Sequence, residues 1–434
     1  MKHFPLTFII LFFTFSSLYG QYTNIPDPKF EQKLIDFGHD DVLDGQVLTT
    51  NIENVNHLNI SWSEISDLTG IEDFTALTDL YCHDNELTSL DVSSNIALTT
   101  LYCWNNELTN LDVRNNIALT ELSCSSNELT SLDVSSNIAL KDLNCSSNEL
   151  TNLDVSSNIA LKDLHCSSNE LISLNVSSNI IALTTLSCYD NELTNLDISN
   201  NIALTDLHCS SNELISLDVS NNTALTSLSC YDNELTNLDI SNNIALTELH
   251  CSSNELTSLD VSNNTALTGL SCDDNELTSL DVSSNIALTE LRCSYNELTS
   301  LELDNNIALK DLYCSSNELT NLDVSSNIAL RWLDCFNNEL TSLNLKNGNN
   351  TILNFFDGSF NSNLSCIQVD DVGYSNSQPS WYKDSSAIYS TDCATASATT
   401  ETLLEKTNIF VKINKEVEIK TPITASFKIY NLTG

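Results

Sequence analysis

The chain has 434 residues and carries 59 acidic against 16 basic side chains, which gives a formal net charge of −43. This charge argues against nucleic acid and anionic membrane surfaces as partners, because both repel an acidic protein. After the first twenty residues no segment is apolar enough to cross a bilayer, so we expect no transmembrane segment.

The chain begins with a pattern typical of secretion signals. Lys2 and His3 precede an apolar run from Phe4 to Tyr19, and Gly20 follows. We interpret residues 1–20 as a signal peptide, with a membrane anchor as the alternative, since the run is short for a bilayer span. The rest of the chain is therefore expected to be secreted or to lie at the outer-membrane cell surface.

A short helix is predicted directly after residue 26. Asp27 can cap the helix N-terminus, Pro28 suits its first position, and Gly38 is placed to end it. Its apolar stripe consists of Phe30, Leu34 and Phe37. We expect residues 21–57 to form an N-terminal cap that covers the open end of the first strands, because an exposed sheet edge invites aggregation.

Several carboxylates follow this helix closely, at Asp40, Asp41 and Asp44, with Gly45 after them. They allow two interpretations, a calcium site or a polar turn. Their spacing does not match the twelve-residue calcium loop of an EF-hand, which favours the turn.

The central part of the chain is a repeat. The stretch from Leu122 to Asp142 recurs thirteen times between Leu80 and Ser342 with a period of 21 residues. One unit has 22 residues, because it contains an extra residue within 179–182. A preceding unit of 22 residues starts at Leu58 and lacks cysteine. Such a period predicts a solenoid, in which each unit buries its apolar edge against its neighbours.

Within each unit the residues alternate. Leu122 and Cys124 are expected to point inward, while Glu121, Ser123 and Ser125 point outward, as in a short strand. The later leucines have no helical spacing and suit an extended return segment. Strands of successive units then pair in parallel and in register, about 4.8 Å apart.

Thirteen of the fifteen cysteines occupy one inward column, from Cys82 to Cys335. Neighbours in this column point the same way and are farther apart than the roughly 3.8 Å between Cβ atoms that a disulfide prefers. We therefore expect free thiols that act as small hydrophobic side chains. Zinc is the alternative, but ligands stacked in one line cannot surround a tetrahedral ion.

The pattern L-x-C-x-x-N-x-L, from Leu58 to Ser342, resembles the leucine-rich-repeat consensus, and the cysteine column with 21-residue units resembles internalin-type repeats. The segment from Ile25 to Phe74 resembles the cap in front of such repeats in proteins of the Bacteroidetes. The resemblance implies a leucine-rich-repeat solenoid: a curved right-handed coil with a parallel sheet on the concave face and an irregular convex side. It also implies a buried ladder of the asparagines, which are Asn85, Asn106, Asn127, Asn148, Asn169, Asn191, Asn212, Asn233, Asn254, Asn275, Asn296, Asn317 and Asn338.

The period degrades after Gly348. Leu353–Phe355 and Leu364–Cys366 keep the core pattern of a strand, so we place the repeat domain at 58–369 and a C-terminal cap at 370–395. Cys366 and Cys393 lie outside the column and either form a disulfide that closes this cap or leave Cys366 as the end of the thiol column.

A linker rich in Ser, Thr and Ala is placed at 396–407, and 408–434 is predicted to form a small β segment. Its strands Val417–Ile419 and 427–434 resemble the start of a C-terminal sorting domain of type IX secretion. The Pro-Asn-Pro opening of such domains is absent near Asn408, and the chain stops at Gly434, as a fragment of such a domain would.

Two acidic columns explain the charge. Glu86 recurs in all thirteen units, and Asp91 recurs as Asp or Glu in eleven, with Asn175 and Asn344 as the exceptions. We expect these columns to provide solubility and turn capping, in which the Asp91 carboxylate accepts from nearby backbone. Bound calcium is the alternative.

The outward strand positions vary, and a ligand would bind there. Aromatic residues favour surfaces that bind protein or sugar, although packing on the caps is the alternative for those near the ends. The candidate ligand-binding residues are Tyr81, His83, Tyr102, Trp104, His165, Tyr189, His208, Tyr231, His250, Tyr313, Trp332 and Phe336.

We expect no metal, no cofactor and no catalysis. The histidines stand two layers apart, roughly 9.6 Å, which zinc–nitrogen bonds of about 2.1 Å cannot span. No nucleophile and base are paired. The sequence thus predicts a monomeric, exported scaffold that binds a protein or glycan ligand for recognition or adhesion through the concave face. The alternative is a structural surface spacer without a specific ligand.

Overall fold

A computed structural model describes residues 20–179 and 182–394, together with two short strands at 409–411 and 417–419. The chain divides into two compact units at Glu192 and Leu193. Each unit is described by itself below. The predicted signal peptide lies outside the described residues.

The first unit begins with the expected cap. Helix α1 spans Pro28–Asp36, and a strand pair, β1 (Tyr22–Asn24) with β2 (Gln46–Leu48), flanks it. The Asp27 carboxylate accepts from the amides of Lys29 and Phe30 at 2.8 and 3.1 Å, and its second oxygen accepts from the amide of Ser66 at 2.8 Å. One carboxylate therefore caps the helix and joins it to the first repeat.

The apolar stripe of α1 is only partly as predicted. Phe30 and Leu34 are buried, and the Phe30 ring lies 6.2 Å from that of Phe74. Phe37 is 46% exposed, because the helix ends before it and Gly38 turns the chain away with a φ of 79°.

The acidic loop after α1 is organised by Glu31. Its Oε1 atom accepts from the amides of Asp44, Gly45 and Gln46 at 2.9, 2.6 and 3.1 Å. These amides hold the loop as a polar turn around a buried carboxylate of the protein itself.

Short parallel strands follow α2 (Thr49–Ile52) in the first unit. The long sheet contains β3 (His57–Asn59), β4 (Asp79–Tyr81), β5 (Thr100–Tyr102), β6 (Glu121–Ser123), β7 (Asp142–Asn144), β9 (Asp163–His165) and β11 (Thr185–Ser187). On the return side, β8 (Leu153–Asp154) pairs in parallel with β10 (Leu174–Asn175). A 3-10 turn covers Ile71–Asp73.

The second unit continues the same construction. Its long sheet contains β12 (Asp206–His208), β13 (Ser227–Ser229), β14 (Glu248–His250), β15 (Gly269–Ser271), β16 (Glu290–Arg292), β17 (Asp311–Tyr313), β19 (Trp332–Asp334), β21 (Phe355–Gly358) and β23 (Trp381–Lys383). A second sheet on the return side contains β18 (Asn321–Asp323), β20 (Ser342–Asn344), β22 (Cys366–Gln368) and β24 (Ile388–Ser390).

All pairs in these sheets are parallel and in register, with leucine opposite leucine, as Leu122 and Leu143 show. Leu122 and Cys124 are buried, while Glu121 and Ser123 between them are half-buried. The predicted parallel solenoid is therefore confirmed in each unit. All thirteen cysteines of the column are buried free thiols, also as predicted.

The asparagine ladder is confirmed by its hydrogen bonds. Asn127 donates through Nδ2 to the carbonyls of Cys103 and Cys124, both at 3.1 Å, and its Oδ1 accepts from the amide of Leu108 at 3.0 Å. The side chain thus satisfies backbone groups of two adjacent turns that would otherwise be buried without partners.

The residue before each ladder asparagine has a left-handed backbone. Ser126 has a φ of 53°, and its twelve equivalents from Asp84 to Asn337 lie between 50° and 57° without a glycine among them. This conformation tightens the turn so that the asparagine side chain folds back on the backbone.

A second buried asparagine column was missed by the sequence analysis. Asn137 is fully buried and donates through Nδ2 to the carbonyls of Val113 and Asn116, both at 2.9 Å. Its equivalents repeat this pattern on the return side. The signal in the sequence is an asparagine at the same position of twelve successive turns, from Asn95 to Asn327.

The predicted turn capping by the Asp91 column is also present. The Asp91 carboxylate accepts from the amide of Ser93 at 2.9 Å, and Asn175, one of the two amide exceptions, accepts from Ser177 at 3.0 Å in the same way. Bonds to the Ser93 hydroxyl and amide lower the pKa of Asp91.

The irregular end differs from the prediction in its register. Phe356, rather than Leu353, lies opposite Leu333, and Cys366 belongs to the return sheet rather than to another strand of the long sheet. Parallel pairing continues to β23, beyond Val369. Cys366 and Cys393 form a disulfide, which resolves the alternatives left open above.

Helix α3 (Val372–Ser377) and a 3-10 turn at Asn350–Ile352 complete this end. Beyond it, β25 (Ile409–Val411) and β26 (Val417–Ile419) pair antiparallel, while the rest of the predicted sorting segment lies outside the described residues. Among the residues that the structure describes, no helix is long and apolar enough to span a membrane.

Candidate binding surface

The outward side chains of the long sheet form a continuous surface in each unit, which we call the strand face. It comprises the first and third residues of each strand and the residue two places further on, such as Glu121, Ser123 and Ser125. Because these positions alternate with the buried leucine and cysteine, the fold presents them to solvent whatever residue they hold. All twelve candidate residues lie at such positions.

In the first unit, aromatic rings gather over the first strands. The Tyr81 ring lies 5.2 Å from the ring of His57 and 5.2 Å from that of Tyr102, in an edge-on arrangement with the latter. His83 stacks on Trp104 with ring centroids 4.2 Å apart. We call His57, Tyr81, His83, Tyr102 and Trp104 the N-terminal aromatic cluster.

Carboxylates border this cluster. The Tyr102 hydroxyl donates to Glu121 at 2.7 Å, and burial together with this bond raises the pKa of Tyr102. Asp84 lies 3.0 Å from the Nδ1 atom of His83. His57 is exposed and the other four rings are half-buried, so those four present apolar faces that are held in place by polar partners at their edges.

Acidic residues continue along the first strand position, from Glu121 to Asp142 and Asp163. Burial raises the pKa of Asp142, and the adjacent carboxylate of Asp163 raises it further, while His165 acts in the opposite direction. Like charges on neighbouring strands therefore repel each other, and a bound cation would relieve this repulsion.

The histidines and tyrosines in the middle of the chain alternate with serines in a diagonal pattern. In the first unit, His165 lies beside Ser187 on the neighbouring strand, and Ser167 lies beside Tyr189. The hydroxyls of Ser167 and Ser187 are hydrogen-bonded diagonally between the two strands at 2.8 Å. In the second unit, Ser210 and Ser229 pair likewise at 2.9 Å, next to His208 and Tyr231. His250 is exposed beside a third pair, Ser252 with Ser271 at 2.8 Å.

A second aromatic group lies near the end of the second unit. The Trp332 ring stacks on Phe355 at 4.1 Å and lies 6.1 Å from Tyr313, whose face is covered by the Arg292 guanidinium at 4.4 Å. Tyr382 lies 6.1 Å from Phe355. We call these five residues the C-terminal aromatic cluster. Phe336 packs separately, on the ring of Phe360 at 4.8 Å.

Arg292 is itself held by Glu290, with its Nε atom 2.5 Å from the Glu290 carboxylate. Burial raises the pKa of the nearby Asp311, and Glu290 adds to this effect. The Nε1 atom of Trp332 is buried and has no hydrogen-bond partner among the described residues. Both clusters therefore have carboxylates at their edges, and they differ in that the C-terminal one includes a cation, Arg292.

Several residues of these clusters were missed by the sequence analysis. His57 precedes the cysteine-bearing repeats, whereas Phe355 and Tyr382 follow them, so their strand positions could not be read from the period. Arg292 does occupy the third strand position of a regular unit, and an aromatic-only criterion excluded it.

No group of three or more His, Cys, Asp or Glu side chains within the described part of the chain is arranged to hold a metal ion. The histidines on the strand face alternate with serines along the sheet, as the register of β12, β13 and β14 shows.

Comparison with solved structures gives many matches. The functional domain of InlJ from Listeria monocytogenes, which includes a cysteine ladder, is 35% identical, and the match covers 83% of this chain and 79% of that one with a TM-score of 0.72. InlF, an internalin from the same species, is 19% identical, covering 80% of this chain and 96% of that one with a TM-score of 0.59.

The plant peptide hormone receptor RGFR1, solved in complex with RGF2, is 23% identical over 68% of this chain and 53% of the receptor chain, with a TM-score of 0.63. The likeness to InlF and RGFR1 concerns the fold alone. No protein-family model matches this chain, and no curated protein matches it.

Proposed function

Because this chain belongs to the internalin-like leucine-rich-repeat proteins that carry a cysteine ladder, we propose that it is an exported scaffold that binds a protein partner through its strand face. The family and the fold support a binding scaffold rather than an enzyme. RGFR1 shares the fold and was solved with RGF2 bound, so binding of a ligand has a precedent among similar structures.

The observation that carries the proposal is the N-terminal aromatic cluster. The fold does not require these rings, because the next repeats have Ser123, Ser125 and Asn144 at the same positions and keep the same strand register. Half-buried aromatic rings on a rigid sheet supply large contact areas at a low cost in conformational entropy. We therefore place the principal contact of the partner here.

The charge of the surface points to a basic partner. No Lys or Arg occupies a strand-face position in the first unit, whereas Asp79, Glu121, Asp142 and Asp163 do. Arginine and lysine side chains can stack on Tyr and Trp rings while they pair with nearby carboxylates. A basic protein segment thus fits this surface better than a neutral glycan, which would use the rings alone.

The C-terminal aromatic cluster is a second proposed contact, with Arg292 as a donor beside the rings. Further proposed contacts lie on the strand face of each unit. They are His165 and Tyr189 in the first unit, and His208, Tyr231 and His250 in the second. Export and display at the cell surface are part of the proposal, supported by the signal-like residues 1–20 and the sorting-like residues 408–434.

A binding screen with matched variants tests the proposal. The full chain is immobilised and presented with extracellular proteins and a glycan panel, in parallel with Trp104→Ala and Trp62→Ala. Trp62 is 71% exposed and lies outside the aromatic contacts of the cluster, so it controls for loss of an exposed tryptophan. We expect a basic protein ligand whose binding is lost in Trp104→Ala and kept in Trp62→Ala.

The result also separates the alternatives. A glycan hit with the same dependence on Trp104 would change the ligand class and keep the site. Binding that Trp104→Ala leaves unchanged would remove the cluster from the site. No binding at all, with an intact circular dichroism spectrum, would favour a structural spacer, a role that the uniform serine pairs of the middle units also suit.

A further inference from the structure

An apolar column that the strand face does not include runs along one flank of the solenoid. In the first unit it consists of Ile96, Ile117, Ile138 and Ile159, which occur in consecutive turns and are 62% to 65% exposed. Each follows a buried asparagine of the second ladder and precedes the next strand of the long sheet. We call this column, with its equivalents in the second unit, the isoleucine flank.

The second unit repeats the column at the same position of its turns. Its exposed members are Ile202, Ile244, Ile286, Ile307 and Ile328. Two turns of this unit have threonine instead, at Thr223 and Thr265.

The fold does not require isoleucine at these positions. In the Thr223 turn, Asn222 donates to the carbonyls of Ile198 and Asn201 at 3.1 and 2.9 Å, as asparagines do in the isoleucine turns. The turn therefore forms equally well with a polar residue. A surface that keeps isoleucine in most turns exposes apolar area without a structural need, and such patches mark interaction sites.

The turns that carry the isoleucine flank also contain no acidic residue of their own. In the twelve segments that run from each second-ladder asparagine to the residue before the next strand, Asn95 to Arg331, no Asp or Glu occurs. Four of these segments instead end in Lys141, Lys162, Lys310 or Arg331. The opposite flank, at the other end of the strands, carries the glutamate column that begins at Glu86.

These observations favour a second copy of the chain as the occupant. Two copies with a charge of −43 each repel strongly, and the turns of the isoleucine flank bring no carboxylate of their own to a contact, although Asp206 and Glu248 at adjoining strand starts accept from Thr205 and Thr268. Its isoleucines repeat with the strand spacing of about 4.8 Å, and another copy offers the same spacing, so side chains of one column fit between those of the other.

The available area agrees with this occupant. Roughly 100 Å² of each isoleucine is exposed, so the five of the second unit alone offer on the order of 500 Å², more than half of the share of one partner in a standard interface. We propose that the isoleucine flank is the interface of a homodimer. The sequence analysis, in contrast, predicts a monomer.

The test measures the molar mass of the full chain by sedimentation equilibrium from nanomolar to tens of micromolar concentration. We expect twice the chain mass of 47.9 kDa, with association that tightens as salt screens the repulsion. The double variant Ile117→Glu with Ile138→Glu should weaken dimerisation by about a hundredfold or more. A second variant, Ile286→Glu with Ile307→Glu, tests the other unit.

The matched control places the same two charges on the opposite flank, as Thr109→Glu with Thr130→Glu, both exposed positions. It should leave the dimer intact, and circular dichroism confirms that all variants are folded. A monomeric wild type over the whole concentration range would overturn the proposal. A dimer that survives both pairs of isoleucine substitutions, or one that the control disrupts equally, would overturn it as well.

Discussion

Asn127 and Leu108, which belong to adjacent turns, are joined by a 3.0 Å hydrogen bond from the Leu108 amide to the Asn127 side chain. The same side chain donates to two carbonyls, so it satisfies three backbone groups that the core excludes from water. Stability of the stack therefore depends on these side-chain amides as well as on leucine packing.

We expect Asn127→Ala to lower the free energy of unfolding by about 2 to 4 kcal/mol, because it leaves buried backbone groups without partners. Urea denaturation followed by circular dichroism measures the loss. Asn115→Ala is the control, since Asn115 is exposed and donates one surface bond to Ser93 at 3.2 Å, and it should cost less than about 0.5 kcal/mol. Equal losses in both variants would contradict the ladder's role.

The second ladder should reject a carboxylate. Asn137 points its amide nitrogen at two carbonyl oxygens and is fully buried, so Asn137→Asp would place an acceptor against acceptors and bury a charge. We expect Asn137→Asp to destabilise more than Asn137→Ala at neutral pH, by thermal denaturation. A smaller effect of the aspartate would show that water reaches this column.

The thiol column should be inert in the folded protein. Burial raises the pKa of Cys124 to about 12, and the other column cysteines are buried as well, so the thiolate that reacts is scarce. A disulfide reagent such as dithionitrobenzoate should find almost no thiols in the native chain and thirteen after denaturation. Adding a reductant before denaturation should raise this number to fifteen. Rapid labelling of the native chain would contradict the buried column.

The disulfide should stabilise the last turns locally. Cys366 and Cys393 are separated by 27 residues, and the bond ties β22 to the residues that follow β24. We expect Cys393→Ser with Cys366→Ser to cost about 3 kcal/mol in this region and to speed proteolysis between the two positions. The circular dichroism of the other turns should stay unchanged. A global loss of the spectrum would mean that this end is needed for the whole stack.

Asp142 and Asp133 should respond to pH with opposite signs. The pKa of Asp142 is raised by burial and by Asp163, so its ionisation destabilises the fold as pH rises through that pKa. Asp142→Asn should therefore raise the melting temperature at pH 7, and the gain should vanish as the pH falls towards 4. The pKa of Asp133 is lowered by the hydroxyl and amide of Ser135, so its stabilising effect is lost at low pH.

Asp133→Asn provides the control. An asparagine can accept the same amide bond, as Asn175 does from Ser177, but it lacks the charge. This variant should show no gain at pH 7. Melting curves from pH 4 to 8 that rise for both variants would point to a general relief of net charge rather than to the environment of Asp142.

The regular turns were predictable because their chemistry repeats. In every repeat the alternation of a leucine and a cysteine, such as Leu122 and Cys124, predicts the strand and which of its side chains point inward. Asn127 then lies in the turn that follows the strand. The register of Phe356 in the long sheet and the place of Cys366 in the return sheet were not predictable, because the 21-residue period ends before these residues. The sequence predicted that Tyr81 and Trp332 lie on the strand face. It did not predict that their rings contact those of His57 and Phe355.

The left-handed turn before each ladder asparagine gives this chain a position for surface diversity. Ser126, Asn105 and Tyr295 share one backbone conformation with φ near 54°, and the neighbouring asparagine side chain maintains it whichever residue is present. In these three turns the side chain is exposed, and Tyr295 is 62% exposed, whereas the Asp84 side chain at the same position is buried against His83. A substitution at this position changes the exposed side chain of a turn and leaves its backbone conformation intact. A duplicated repeat can therefore change its surface chemistry without a change in fold.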